Sequence, residues 1–95
     1  GIKVLTTNNA DDALTLLESE NVDLLISDII MPGTDGYQLA SIVSDKYPNI
    51  KIQLVSGFSD ERHQNLVDKS IQENILSKPY NTDDLLRSIQ RLLSS

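Results

Sequence analysis

Apolar positions recur at two different periods along this chain, and the two periods alternate. Residues 2–6 and 23–27 are rich in β-branched and apolar side chains, residues 50–55 alternate apolar with polar, and residues 73–76 make a shorter run. Four strands are predicted. Between them Ala10, Ala13, Leu14 and Leu17 fall at helical spacing, as do Leu39, Ile42 and Val43, with Lys46 and Tyr47 closing that turn. A third helix over about 60–71 has only Leu66, Val67 and Ile71 as an apolar stripe, so it is expected to pack least firmly. The last helix carries Leu85, Ile89, Leu92 and Leu93 on one side. It starts after Asn81 or Thr82 as N-cap, places Asp83 and Asp84 near its positive end, and runs to the C-terminus.

Strand and helix alternating with short joins is the pattern of an α/β layer structure, with a parallel sheet and helices on both faces. In such sheets functional groups collect beyond the carboxyl ends of the strands. Those ends are residues 7–10, Asp28, Ser56 with Gly57, and residues 77–79 with Lys78 among them. Asp28 is the most telling. It stands where the most apolar run stops, and Ile29-Ile30-Met31-Pro32-Gly33-Thr34-Asp35-Gly36 follows. At one rim, a carboxylate can act as a nucleophile toward phosphorus, while a hydroxyl and an ammonium hold the oxygens of the transferred group. Gly57 leaves room beside them. Spacing alone leaves a plainer reading open, in which such residues cap helices or bind water. Ser56-Gly57 is also a turn signal, and a solvated loop lysine is the lesser reading of Lys78. Against a mere cap at Asp28 stands the cost of a carboxylate at the mouth of a core strand. Tyr80 and Phe58 read as packing residues and His63 as a surface residue.

Composition narrows the classes. Ninety-five residues with 39% apolar content suit one small domain. Without Cys there is neither a disulfide framework nor a thiolate metal site, and the single His63 builds no metal site alone. A net charge of −6 argues against a broad nucleic-acid surface. No apolar run approaches the roughly 18 residues of a membrane span, and the first residues form no signal peptide. A soluble protein is expected. The chain opens on Gly and directly on a strand-like segment, as a trimmed chain or fragment would.

Three pieces taken together are specific: Asp28 with Met31-Pro32-Gly33 and Asp35-Gly36, Ser56-Gly57 after the next strand, and Lys78-Pro79-Tyr80 after the last. In this order and at these separations, over essentially the whole chain, the sequence resembles the receiver domain of two-component response regulators and hybrid histidine kinases. The resemblance implies a flavodoxin-like (CheY-like) α/β fold in a cytoplasmic setting. It makes Asp28 the phosphoacceptor, charged by a phosphohistidine on a histidine kinase or phosphotransfer protein. Ser56 would be the switch hydroxyl, and Lys78 the lysine that pairs with phosphoryl oxygens. Pro79 would follow a cis bond that aims Lys78 inward. The backbone of Ile30 would offer a carbonyl to a divalent metal and an amide to the phosphoryl group, beside Gly57. Pro32, Gly33 and Gly36 would shape the loop and start the next helix. The flavour of the Leu54-Val55-Ser56-Gly57-Phe58 and Leu76-Ser77-Lys78-Pro79-Tyr80 stretches is similar to receivers attached to hybrid kinases.

The sequence also departs from the family. Receivers have five strands, and the first ends in an acidic pair that holds Mg²⁺ together with the phosphoacceptor. Here residues 2–6 resemble the second strand, so the fold is expected in truncated form, with about four strands and four helices. Asp11 and Asp12 fit a helix first turn, where the dipole favours them, better than metal ligation. Mg²⁺, with Asp28 and the Ile30 carbonyl as ligands, is thus expected of the complete fold and doubtful here, and Asp28 is expected to be modified slowly or not at all. Loss of a central strand would bare two edges inside the sheet, inviting closure into four strands or a homodimer. Ile75 stands where the family often has an aromatic switch residue. Two rival functions remain. A phosphatase of the haloacid dehalogenase type needs a second Asp where Ile30 stands. The other rival is a receiver-like module that binds partners without phosphorylation.

Overall fold

Why the two periods alternate is plain in the computed structural model, which describes residues 2–31, 33–57, 66, 67 and 69–94. Its elements are β1 (Val4–Thr7), α1 (Ala10–Ser19), β2 (Leu24–Asp28), α2 (Gly36–Lys46), β3 (Lys51–Ser56), α3 (Lys69–Glu73), β4 (Leu76–Ser77) and α4 (Thr82–Ser94). The strands form one parallel sheet in the order β1-β2-β3-β4. β1 pairs directly with β2, Val4 opposite Leu24 and Thr7 opposite Ser27. The two bare inner edges expected from the sequence therefore do not arise, because each strand's backbone groups find partners in its neighbour.

Side chains on neighbouring positions of β2 point to opposite faces, and both faces are covered. Leu25, Ile52 and Leu54 pack with Ala13, Leu17, Leu39, Ala40 and Val43 of α1 and α2. On the other face Leu24, Ile26 and Val55 meet Leu92 of α4, with Leu85, Ile89 and Tyr80 half-buried beside it. Burial on both sides explains the unbroken apolar run of β2. Each fully buried Leu contributes about 1.5–3 kcal/mol.

Local chemistry sets where helices start. Asn9 Oδ1 accepts from Asp12 N–H at 3.2 Å and caps α1. Asp35 begins α2 with a capping box: its Oδ1 accepts from Gln38 N–H at 2.9 Å, and Gln38 Oε1 accepts from Asp35 N–H at 3.2 Å. Asn81, not Thr82, caps α4, since Asn81 Oδ1 accepts from Asp84 N–H at 2.8 Å.

The third helix is expected over about 60–71; residues 60–65 and 68 of that span lie outside the described residues, and the described helix is α3, Lys69–Glu73, with Val67 buried ahead of it while Leu66 is 46% exposed. With only three apolar residues, the stripe is too thin to fix helix limits. Residues 58–65, with Phe58 and His63, lie outside the described residues. The fourth strand was expected over 73–76, yet Glu73 ends α3 and only Leu76 and Ser77 pair with β3. The reason is Asn74. Its N–H donates to Ile71 O at 3.2 Å, which closes the helix. Its side chain is committed to Gln53 of β3 and to α4.

Candidate functional site

β2, β3 and β4 run in the same direction, so their carboxyl ends open on one rim. β2 ends with Asp28, β3 ends with Ser56, and β4 delivers Lys78 just past its last pair. Lys78 Nζ lies 2.8 Å from Asp28 Oδ1, and both side chains are partly exposed. Lys78 N–H donates to Ser56 O at 2.7 Å, and Ile29 N–H to Val55 O at 2.9 Å. The sheet's hydrogen bonds thus reach into the site and tie its three strands together. The Ser56 side chain is largely buried. The Lys78–Pro79 peptide is cis.

The loop after Asp28 is folded back on itself. Gly36 N–H donates to Ile29 O at 2.6 Å. A side chain at Gly36 would run into the Asp28 carbonyl oxygen and Ile29 Cα, so only glycine lets the start of α2 lie against the backbone of β2. Gly33 sits at φ +79°, in the left-handed region. Ile30 stands out from this loop, 45% exposed, while Ile29 and Met31 on either side are buried. Pro32 lies outside the described residues. Among the described residues, a Cβ at Gly57 would be 4.0 Å from Lys78 Cδ, an ordinary contact.

The Lys78 amine is held above its ordinary value, first because its ammonium donates to the Asp28 carboxylate and then by direct attraction to that charge; desolvation pulls the other way. An ammonium so held is a fixed positive charge beside a carboxylate oxygen. It can neutralise an anionic group that approaches Asp28.

Sequence reasoning brought Asp28, Ser56 and Lys78 to one rim, and the structure does so. It passed over Ser27. This buried serine donates from Oγ to the Asp28 carbonyl oxygen at 2.9 Å, with Met31 Sδ packed 3.7 Å away. A hydroxyl inside the most apolar strand was the available signal, since a buried polar group needs a partner.

Asp28 supplies one carboxylate, but among the described residues no three His, Cys, Asp or Glu side chains stand close enough together to hold a metal ion. Asp11 and Asp12 occupy the first turn of α1. The described donor set does not fit a complete Mg²⁺ site, and no step is derived through one.

Residues 1–90 match the family described as the response regulator receiver domain. The chain belongs to this family. As a receiver domain of two-component signal transduction, it is similar to the response regulator receiver protein CpdR of Brucella abortus, 32% identical over 93 residues, spanning 98% of this chain and 78% of that protein. It is also similar to the DNA-binding transcriptional regulator NtrC of Proteus hauseri, 33% identical over 92 residues, covering 90% of this chain but 18% of NtrC. The activity of that whole regulator is therefore not carried over. Among solved structures, the response regulator protein TrrA from Thermotoga maritima in complex with Mg²⁺-BeF superposes with a TM-score of 0.73 at 31% identity, covering 93% of this chain and 75% of TrrA. Mg²⁺ binding is thus a property of the family. Among the described residues no helix is long and apolar enough to cross a membrane.

Proposed function

We propose that Asp28 of this receiver domain is the phosphoacceptor. The observation that carries the reading is the 2.8 Å pair between Lys78 Nζ and Asp28 Oδ1 at the joint ends of three parallel strands. A carboxylate oxygen of Asp28 attacks the phosphorus of a phosphohistidine on a histidine kinase or phosphotransfer protein. The new O–P bond forms as the P–N bond breaks, and the imidazole leaves with a proton from solvent. Lys78 shifts from the carboxylate to the phosphoryl oxygens and offsets their charge, while Ser56 and the Ile30 amide approach from the neighbouring strand end and loop. Water later attacks the phosphorus and restores the carboxylate.

The chain corresponds, in this reading, to the family from its second strand onward, and the acidic residues that complete the Mg²⁺ site belong to the family's first strand. Pro79 and the loop glycines Gly33 and Gly36 serve the site by shaping the backbone around Asp28 and Lys78. The rival, a receiver-shaped module that never takes phosphate, is not favoured by the comparisons.

The test is the intact mass of the chain after incubation with acetyl phosphate, with and without Mg²⁺, beside Asp28→Ala. A phosphoryl adduct that requires Asp28 supports the assignment. An adduct that persists in Asp28→Ala would overturn it, and none even after prolonged incubation with Mg²⁺, from a chain shown folded by circular dichroism, would leave the receiver-shaped module that takes no phosphate.

A further inference from the structure

β4 is only two residues long, pairing Val55 with Leu76 and Ser56 with Ser77. Two backbone pairs hold register poorly, yet Lys78 reaches Asp28 only in this register. Continuing the register backward by two residues puts Asn74 opposite Gln53. There the ladder is continued by side chains. Gln53 Nε2 donates to Asn74 O at 2.8 Å and Asn74 Nδ2 donates to Gln53 Oε1 at 2.9 Å. Asn74 Nδ2 also lies 3.1 Å from Ser88 O of α4, and Gln53 Nε2 lies 2.9 Å from Leu54 O. Gln53 is 1% exposed, so these bonds form where water does not compete.

We propose that Gln53 and Asn74 are positioning residues for Lys78, an amide bracket that locks the register of β4 and so holds the ammonium against Asp28. The neighbours of Asn74 show why the bracket discriminates. A slip of one residue would set Glu73 or Ile75 opposite Gln53. A carboxylate cannot donate to Gln53 Oε1, and an isoleucine side chain can do nothing for either amide group, so a buried polar group would be stranded. The same slip would carry Lys78 about 3.3 Å along the strand direction and turn its side chain toward the other face. Its N–H would then leave Ser56 O as well. The third arm, on Ser88 O, fixes the bracket to α4, which begins after the Lys78 loop. That loop is thereby tied down on both sides. The consequence for phosphoryl transfer rests on the assignment of Asp28 above, but the placement of Lys78 does not.

The experiment reads the side-chain ammonium of Lys78 directly, in ¹H–¹⁵N spectra of the full chain, with the signal assigned by its loss in Lys78→Met and its dependence on the carboxylate shown by Asp28→Asn. Gln53→Met keeps the length of the side chain and removes the amide. Asn74→Ala, at a half-buried position, removes the partner and decides the matter where Gln53→Met does not fold. Val43→Ala, a cavity on the opposite face, controls for general destabilisation. Loss of the Lys78 ammonium signal in folded Gln53→Met and Asn74→Ala, with retention in Val43→Ala, is the expected result. A signal intact in the two amide variants, or lost equally in Val43→Ala, would overturn the proposal. Failure of wild-type Asp28 to take phosphate from acetyl phosphate would leave this spectrum readable, so the two readings fail separately.

Discussion

The ion pair between Lys78 and Asp28 makes a prediction whose sign can be worked out. The Lys78 amine titrates above its ordinary 10.5 in the folded chain because Asp28 accepts its hydrogen bond. A group whose folded value is raised stabilises fully below its unfolded value, and that contribution is lost as pH rises through the folded value. Urea midpoints of the wild type should therefore fall more steeply above that ordinary value than those of Asp28→Asn, in which the partner charge is gone. Comparing the two chains cancels tyrosine ionisation common to both. Parallel curves across that window would show that the pair has no such linkage.

The glycines near the site separate by the same reasoning about single atoms. A methyl at Gly36 meets the backbone of Asp28 and Ile29, which cannot swing aside. Gly36→Ala should cost about 1–3 kcal/mol in urea unfolding, as overpacking does. At Gly57 the added methyl meets, among the described residues, the flexible Lys78 side chain at 4.0 Å, so Gly57→Ala should change stability by less than about 0.5 kcal/mol. Equal losses at the two positions would contradict the close approach of α2 to β2.

Elements depend on their ends as much as on their stripes. The capping box of α2 predicts that Asp35→Ala costs about 0.5–2 kcal/mol in urea unfolding, because Gln38 N–H loses its acceptor. The same helix shows how far sequence reasoning reached. Of the stripe Leu39, Ile42 and Val43, Leu39 and Val43 are buried while Ile42 is 40% exposed, and Asp28, Ser56 and Lys78 were legible because parallel strands with short joins must bring their ends to one rim. What was not legible depends on tertiary pairing. Gln53 read as one polar position of an alternating strand, yet with helices on both faces it is inside and needs Asn74. Glu73 and Asn74 read as strand by their apolar neighbours Ile75 and Leu76, but β4 exists only where β3 offers backbone partners. The direct pairing of β1 with β2 was one of several closures the sequence allowed.

The two faces of the sheet are unequally covered, and this asymmetry is a property of the whole molecule. Among the described residues, α1, α2 and Val67 pack against one face, while α4, with Tyr80 beside it, covers the other. Val4, whose partner Leu24 faces α4, is 47% exposed, and on α4 itself Leu86 is 51% and Leu93 39% exposed. Leu92, between them in sequence, is 8% exposed and packs on Leu24, Ile26 and Val55. Leu92→Ala should therefore cost about 2–5 kcal/mol, since it opens a cavity at the centre of α4's contact. Replacing both Leu86 and Leu93 with Glu should lower the urea midpoint by less than Leu92→Ala does, because both side chains keep a large share of their surface in water and the Glu carboxylates can reach it. The same double variant should lower the fluorescence of a dye that binds exposed apolar surface, which Leu92→Ala should raise by loosening the helix. If instead the two Glu substitutions destabilise as much as Leu92→Ala, α4 must sit on the sheet through a different stripe, and with it the Ser88 arm that fixes Asn74.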